Sequence, residues 1–172
     1  MRFYRCQKGF TLIELVTTLI LVGFIGAFAS FFLYTGIRGF LVSRFSSETA
    51  LKAQIALDRI SAELRHINSL VNPPSATSVE YKSLDLTGTR RISYNPVTRE
   101  IMLSVNGTAN ALLDNVSAFT LSWAARDLDQ SADGINEIAE LRVAFTVRSA
   151  STENETPFSA RIYPRGMLTA PP

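Results

Sequence analysis

Cysteine and histidine are nearly absent from this sequence. There is one of each, Cys6 and His66. A single cysteine closes no intrachain disulfide, so a domain built from this chain must be held by its core alone. With one histidine, zinc sites and Cys–His or Ser–His catalysis lack parts. A basic surplus is missing too. The formal net charge is +2, but Arg2, Arg5 and Lys8 all lie in the first nine positions. The remaining 14 basic residues face 15 acidic ones, and that balance leaves no footprint for nucleic acid. No cofactor is expected.

Charge is absent altogether from Leu15 to Ile37, a run of 23 residues. A helix of about 20 apolar residues crosses a bilayer, so this run predicts a membrane span. One carboxylate, Glu14, stands just inside the apolar stretch that opens at Phe10. A carboxylate at the centre of a membrane helix costs roughly 2.5–3.5 kcal/mol, less near the interface, and usually has a partner. An ordinary secretory signal fits badly. Its cleavage site follows the apolar stretch, whereas Gly9 precedes it. A plain uncleaved anchor explains the basic flank, which stays cytoplasmic, and leaves Glu14 unexplained.

Lys8-Gly9-Phe10-Thr11-Leu12-Ile13-Glu14-Leu15 resembles the class III signal of type IV pilins and of the pseudopilins of type II secretion. The resemblance implies cleavage between Gly9 and Phe10 by a membrane-embedded prepilin peptidase. It implies N-methylation of Phe10 by the same enzyme, with Glu14 left as the fifth mature residue. Elementary electrostatics agrees. An α-amine has a pKa near 8 and is largely protonated at neutral pH, and methylation keeps that charge. The cation of one subunit can then meet Glu14 of a neighbour, and two costly charges become one pair. Major pilins commonly carry a proline in the middle of this helix. Here Phe28-Ala29-Ser30-Phe31-Phe32 has none. Gly23, Gly26, Gly36 and Gly39 offer softness instead. Gly23 and Ala27 also form a small-xxx-small pair, though glycine is frequent in membrane helices generally.

About 130 residues remain after the leader and the apolar run, enough for one modest domain. Ala53, Leu57, Ile60, Leu64, Ile67 and Val71 recur at alternating fours and threes, which is one apolar stripe on a helix. Glu48, Lys52, Asp58, Arg59, Glu63 and Arg65 fill its polar side. Asn72-Pro73-Pro74 reads as the stop. One helix from Phe10 to about Val71 would span roughly 90 Å at about 1.5 Å per residue. A coiled-coil dimer competes for the stripe, but under three heptads is short for one. After Pro74 the period becomes two. The expected strands are Ser78–Tyr81, Arg91–Tyr94, Ile101–Val105, Phe119–Ala124, Ile138–Ser149 and Phe158–Tyr163, with turns at Tyr94-Asn95-Pro96 and Asn106-Gly107. The fold class is α+β: a long N-terminal helix, transmembrane in its first half, packed on an antiparallel sheet. The expected organisation is a leader over 1–9, a membrane or filament-core helix over 10–37, its amphipathic continuation over 38–72, a periplasmic β-rich domain over 73–166 and a loose tail over 167–172.

Other residues invite chemistry and mostly decline it. His66 reads as a solvated surface residue. Asp127, Asp129 and Asp133 alternate in an acidic segment, which suits calcium, but the glycine falls at the wrong position for an EF-hand. A solvated turn is preferred. Trp123 reads as core more than as a partner contact. Arg90-Arg91 and Arg161/Arg165 are too few for a basic patch.

Ala56–Arg65, Leu112–Val116 with Phe119–Leu121, and Ala160–Arg165 resemble, more loosely, the J-type minor pseudopilins and the PilW-like minor pilins. The implied role is a structural, non-enzymatic subunit, anchored by a single pass in the inner membrane with its domain in the periplasm. Its partners would be the prepilin peptidase and methyltransferase and other major and minor subunits, at or near a filament tip. A bitopic periplasmic binding or sensor domain with an uncleaved anchor is the alternative of another class, and a membrane-anchored enzyme is a distant third.

Overall fold

The structure is a computed structural model that describes residues 9–128, 137–149, 154–166 and 168. The chain divides into two units, Met1–Ser43 and Arg44–Pro172. A single helix, α1 (Leu12–Arg65), contributes to both. In the first unit its apolar side chains lie on the surface.

The second unit is α+β. Five strands, β1 (Ile67–Leu70), β2 (Ser78–Ser83), β3 (Thr89–Asn95), β4 (Glu100–Val105) and β5 (Thr108–Leu113), form an antiparallel meander. Three more, β6 (Val116–Arg126), β7 (Glu137–Arg148) and β8 (Glu155–Ile162), form a second antiparallel sheet in chain order. Two sheets therefore stand where the sequence suggested one. They are joined where Val116 N–H donates to Arg99 O at 2.9 Å, Leu121 N–H to Ala76 O at 2.8 Å, and the Tyr94 ring stacks on Phe119 at 5.9 Å.

One core serves the helix and both sheets. Ala53, Ala56, Leu57, Ile60 and Leu64 of α1 meet Tyr81, Ile92 and Ile101 of the first sheet and Leu121, Val143 and Phe145 of the second. The predicted stripe is thus buried within this domain from Ala53 to Ile67, while its last member, Val71, is exposed. On β7, Val143, Phe145 and Val147 are dry while Arg142 and Ala144 are wet, the alternation of a sheet with one solvated face.

The helix stops at Arg65, short of the predicted Val71. Ile67 keeps its place in the core but as a strand residue, paired with Ser83. The stop has a physical cause. The Arg65 carbonyl accepts Arg165 N–H at 3.0 Å and the His66 carbonyl accepts Leu84 N–H at 2.8 Å, so groups that a helix end leaves bare find partners in neighbouring segments. β5, absent from the expected strands, follows the Asn106-Gly107 turn. Both turn residues have positive φ, 51° and 87°, as a two-residue hairpin loop of type I′ requires. Of the expected loose tail, 167–172, only Leu168 falls among the described residues, and it is not loose. Leu168 is buried, and its carbonyl accepts Ile138 N–H at 2.7 Å.

Candidate assembly site

Gly9 and Phe10 precede α1 and are exposed. Thr11 caps the helix: its Oγ1 accepts Glu14 N–H at 3.3 Å and its carbonyl accepts Leu15 N–H at 3.2 Å. A threonine followed three positions later by glutamate is a recurrent helix start. It places Glu14 in the first turn, where the helix dipole favours an anion. Glu14 is exposed. Among the described residues its carboxylate has neither a hydrogen-bond nor an ion-pair partner.

Behind it the helix is long and apolar enough to cross a membrane, by length and composition. Phe24, Phe28, Phe31 and Phe32 are 62–78% exposed. Four of its hydroxyls are closed on the helix itself, while that of Tyr34 has no hydrogen-bond partner among the described residues. Thr17, Thr18, Ser30 and Thr35 donate to the carbonyls of Ile13, Leu15, Gly26 and Phe31 at 2.7–2.9 Å. In hydrocarbon an unpaired polar group is expensive, so this closure suits the segment to lipid. At Gly23, Gly26, Gly36 and Gly39 an added Cβ would meet nothing within 4 Å. Among the described residues nothing requires these glycines.

In the second unit α1 presents two faces. One is the buried stripe. The other carries Leu51 and Ile55, 62% and 60% exposed. Glu63, expected on the polar side of the helix, is itself buried and holds the buried side in place. Arg90 grips its carboxylate with two hydrogen bonds, Nε to Oε2 and Nη2 to Oε1, both 2.7 Å. The Tyr81 hydroxyl donates to Oε2 at 3.0 Å, and Arg59 approaches Oε1 at 2.8 Å from one turn away. Glu63, Arg90 and Tyr81 are all buried. Burial chiefly, with the Glu63 charge beside it, pushes the Tyr81 hydroxyl above its ordinary pKa, so it stays protonated and donates. The hydrogen bond to Glu63 raises Arg90 in turn. Arg90 was legible only as half of a weak basic pair.

His66 is half-buried, and its Nδ1 pairs with the Asp85 carboxylate. Asp127 is exposed beyond the end of β6, while Asp129 and Asp133 lie outside the described residues. Glu137, at the far end of that acidic segment, is buried and accepts Leu128 N–H at 2.8 Å. Among the described residues no three His, Cys, Asp or Glu side chains are grouped to hold a metal. Trp123 is half-buried and packs against the core. Glu48 and Lys52 form their ion pair at 3.1 Å, beside a cleft of about 130 Å³ that Asp114 and Arg148 also line.

Residues 4–30 match the family model of the prokaryotic N-terminal methylation motif. The match supports the type IV pilin and pseudopilin family, processing by a prepilin peptidase and assembly with other pilins. A structural, non-enzymatic protein with an inner-membrane anchor fits the same motif and the apolar helix. No curated protein and no solved structure matches the chain.

Proposed function

We propose that the chain is a minor pseudopilin of J type, processed by prepilin peptidase and assembled at or near the tip of a type II secretion pseudopilus. Cleavage falls between Gly9 and Phe10, Phe10 is N-methylated, and Glu14 pairs with the amine of a neighbouring subunit. The observation that carries the reading is Glu14 itself, a carboxylate without a partner among the described residues, at the head of a helix whose apolar side chains are exposed from Leu12 to Leu41. The exposed Leu51 and Ile55 would extend the packing of neighbouring helices beyond the membrane run. The same features serve a PilW-like minor pilin equally well, and the partners recovered with the chain separate the two.

Intact mass and N-terminal sequencing of the membrane-extracted protein test the processing. The expected product begins at methylated Phe10. A mature chain that keeps Met1 or Cys6 overturns the reading and leaves an uncleaved anchor.

A further inference from the structure

The outward face of the second sheet carries an arrangement that the assembly reading does not use. Across β6, β7 and β8, Ser122, Arg142 and Arg161 form one row, and Thr120, Ala144 and Ser159 the next. All six are exposed. Two arginines thus stand directly opposite each other on adjacent strands, a placement that like charges disfavour. One carboxylate answers for both. Arg142 donates to Glu140 from Nε to Oε1 and, at 3.4 Å, from Nη2 to Oε2. Arg161 Nε stands 3.7 Å from the same Oε1, beyond hydrogen-bond reach, and its side chain is 66% exposed. Among the described residues the Arg161 guanidinium donates no hydrogen bond. The row, with Glu140 beside it, therefore holds two cations, one anion and a set of open donors, over a floor of small side chains and hydroxyls. A free guanidinium edge matches a carboxylate through two parallel N–H···O bonds.

We propose that this face docks a carboxylate carried on an extended acidic segment of a neighbouring subunit, with Arg161 as the primary donor and Arg142, held by Glu140, as the second. A further carboxylate balances the row, and small side chains beneath let a polypeptide backbone approach. The hydrogen bond from Arg142, against a smaller opposing effect of burial, holds the Glu140 carboxyl below its usual range. Glu140 therefore stays ionised near neutral pH and keeps Arg142 in position. That the segment belongs to a neighbouring subunit rests on the assembly reading; the carboxylate site does not.

Isothermal titration of the full chain in non-ionic detergent micelles, with hexaglutamate and separately with inorganic phosphate, tests the site. Hexaglutamate is expected to bind and to weaken as salt rises from about 50 to about 300 mM. Arg161→Ala should weaken it about tenfold or more at unchanged melting temperature, and Arg161→Lys should recover part of the loss. Absent binding, equal affinity for phosphate, or an unchanged affinity in Arg161→Ala overturns the site. In cells, Arg161→Glu should lower recovery of the chain with other subunits after crosslinking while Gly9–Phe10 cleavage proceeds; unchanged recovery removes the neighbour from the proposal. A wild-type chain that is never cleaved removes it too, by sinking the assembly reading, and the titration alone then decides the carboxylate site.

Discussion

Two glutamates on one helix live in opposite circumstances. Glu63 is buried, and its two oxygens are taken by Arg90, Tyr81 and Arg59. Glu14 lies exposed in the first turn, and among the described residues nothing answers its carboxylate. The surroundings differ in the same way. Around Glu63 the apolar side chains of α1 are consumed by its own domain, whereas around Glu14 they face outward. A buried charge is tolerable only when paired. Glu63 is satisfied within the chain and so belongs to folding. We read Glu14 as satisfied by another chain and so as belonging to assembly.

The sharpest way to break that comparison is at Arg90. Arg90→Ala leaves Glu63 buried with weaker partners and should cost about 3–5 kcal/mol, read as a lowered denaturation midpoint of the full chain in detergent. Replacing both members by leucine should recover much of that loss, because the pair's own desolvation goes with it. A loss in the double variant as large as in Arg90→Ala would mean that the pair contributes far more than its desolvation costs. Ile60→Ala opens a cavity against both sheets and should cost roughly 2–5 kcal/mol. A stripe facing another chain would lose far less, and a concentration-dependent midpoint would reveal it.

A smaller effect belongs to Tyr81. Its pKa is raised in the folded state, so the stability it supports is whole below the unfolded value, near 10, and is lost as pH rises above that. Tyr81→Phe should flatten the decline in stability above about pH 10. Absorbance at 295 nm checks it independently: one tyrosine component should titrate above the ordinary range and vanish in Tyr81→Phe. Glu14→Leu should have the least effect of all on the domain, leaving melting and cleavage unchanged. Its consequence should appear only as failed incorporation into the filament. Normal pilus or secretion function in that strain would break the contrast between the two glutamates outright.

What was legible in the sequence was whatever is local. The Gly9–Glu14 motif is contiguous, and the stripe from Ala53 to Leu64 needs only the period of a helix. Ile67 shows the limit, because its spacing fits the helix although it reaches the core from a strand. Glu63 shows it more sharply. A glutamate between Arg59 and Arg65 reads as solvated, and only Arg90, distant in the chain, makes it interior. β5 was missed because Thr-Ala-Asn-Ala-Leu-Leu is weak strand sequence, stabilised by the hairpin and by its pairing with β4. The Arg142–Arg161 row depends on strand register, which no local pattern reveals.

The hydroxyls of Thr17, Thr18, Ser30 and Thr35 have a consequence for travel. Each is tied to a carbonyl one turn behind it, so these four carry their hydrogen-bond partners with them. Moved from lipid into the company of other helices, the segment would break none of these four bonds. The free energy of such a move is then set by side-chain fit, by the Tyr34 hydroxyl and by the one unmet charge at its head. A passenger of this kind has a low toll at every boundary and a single reason to stop.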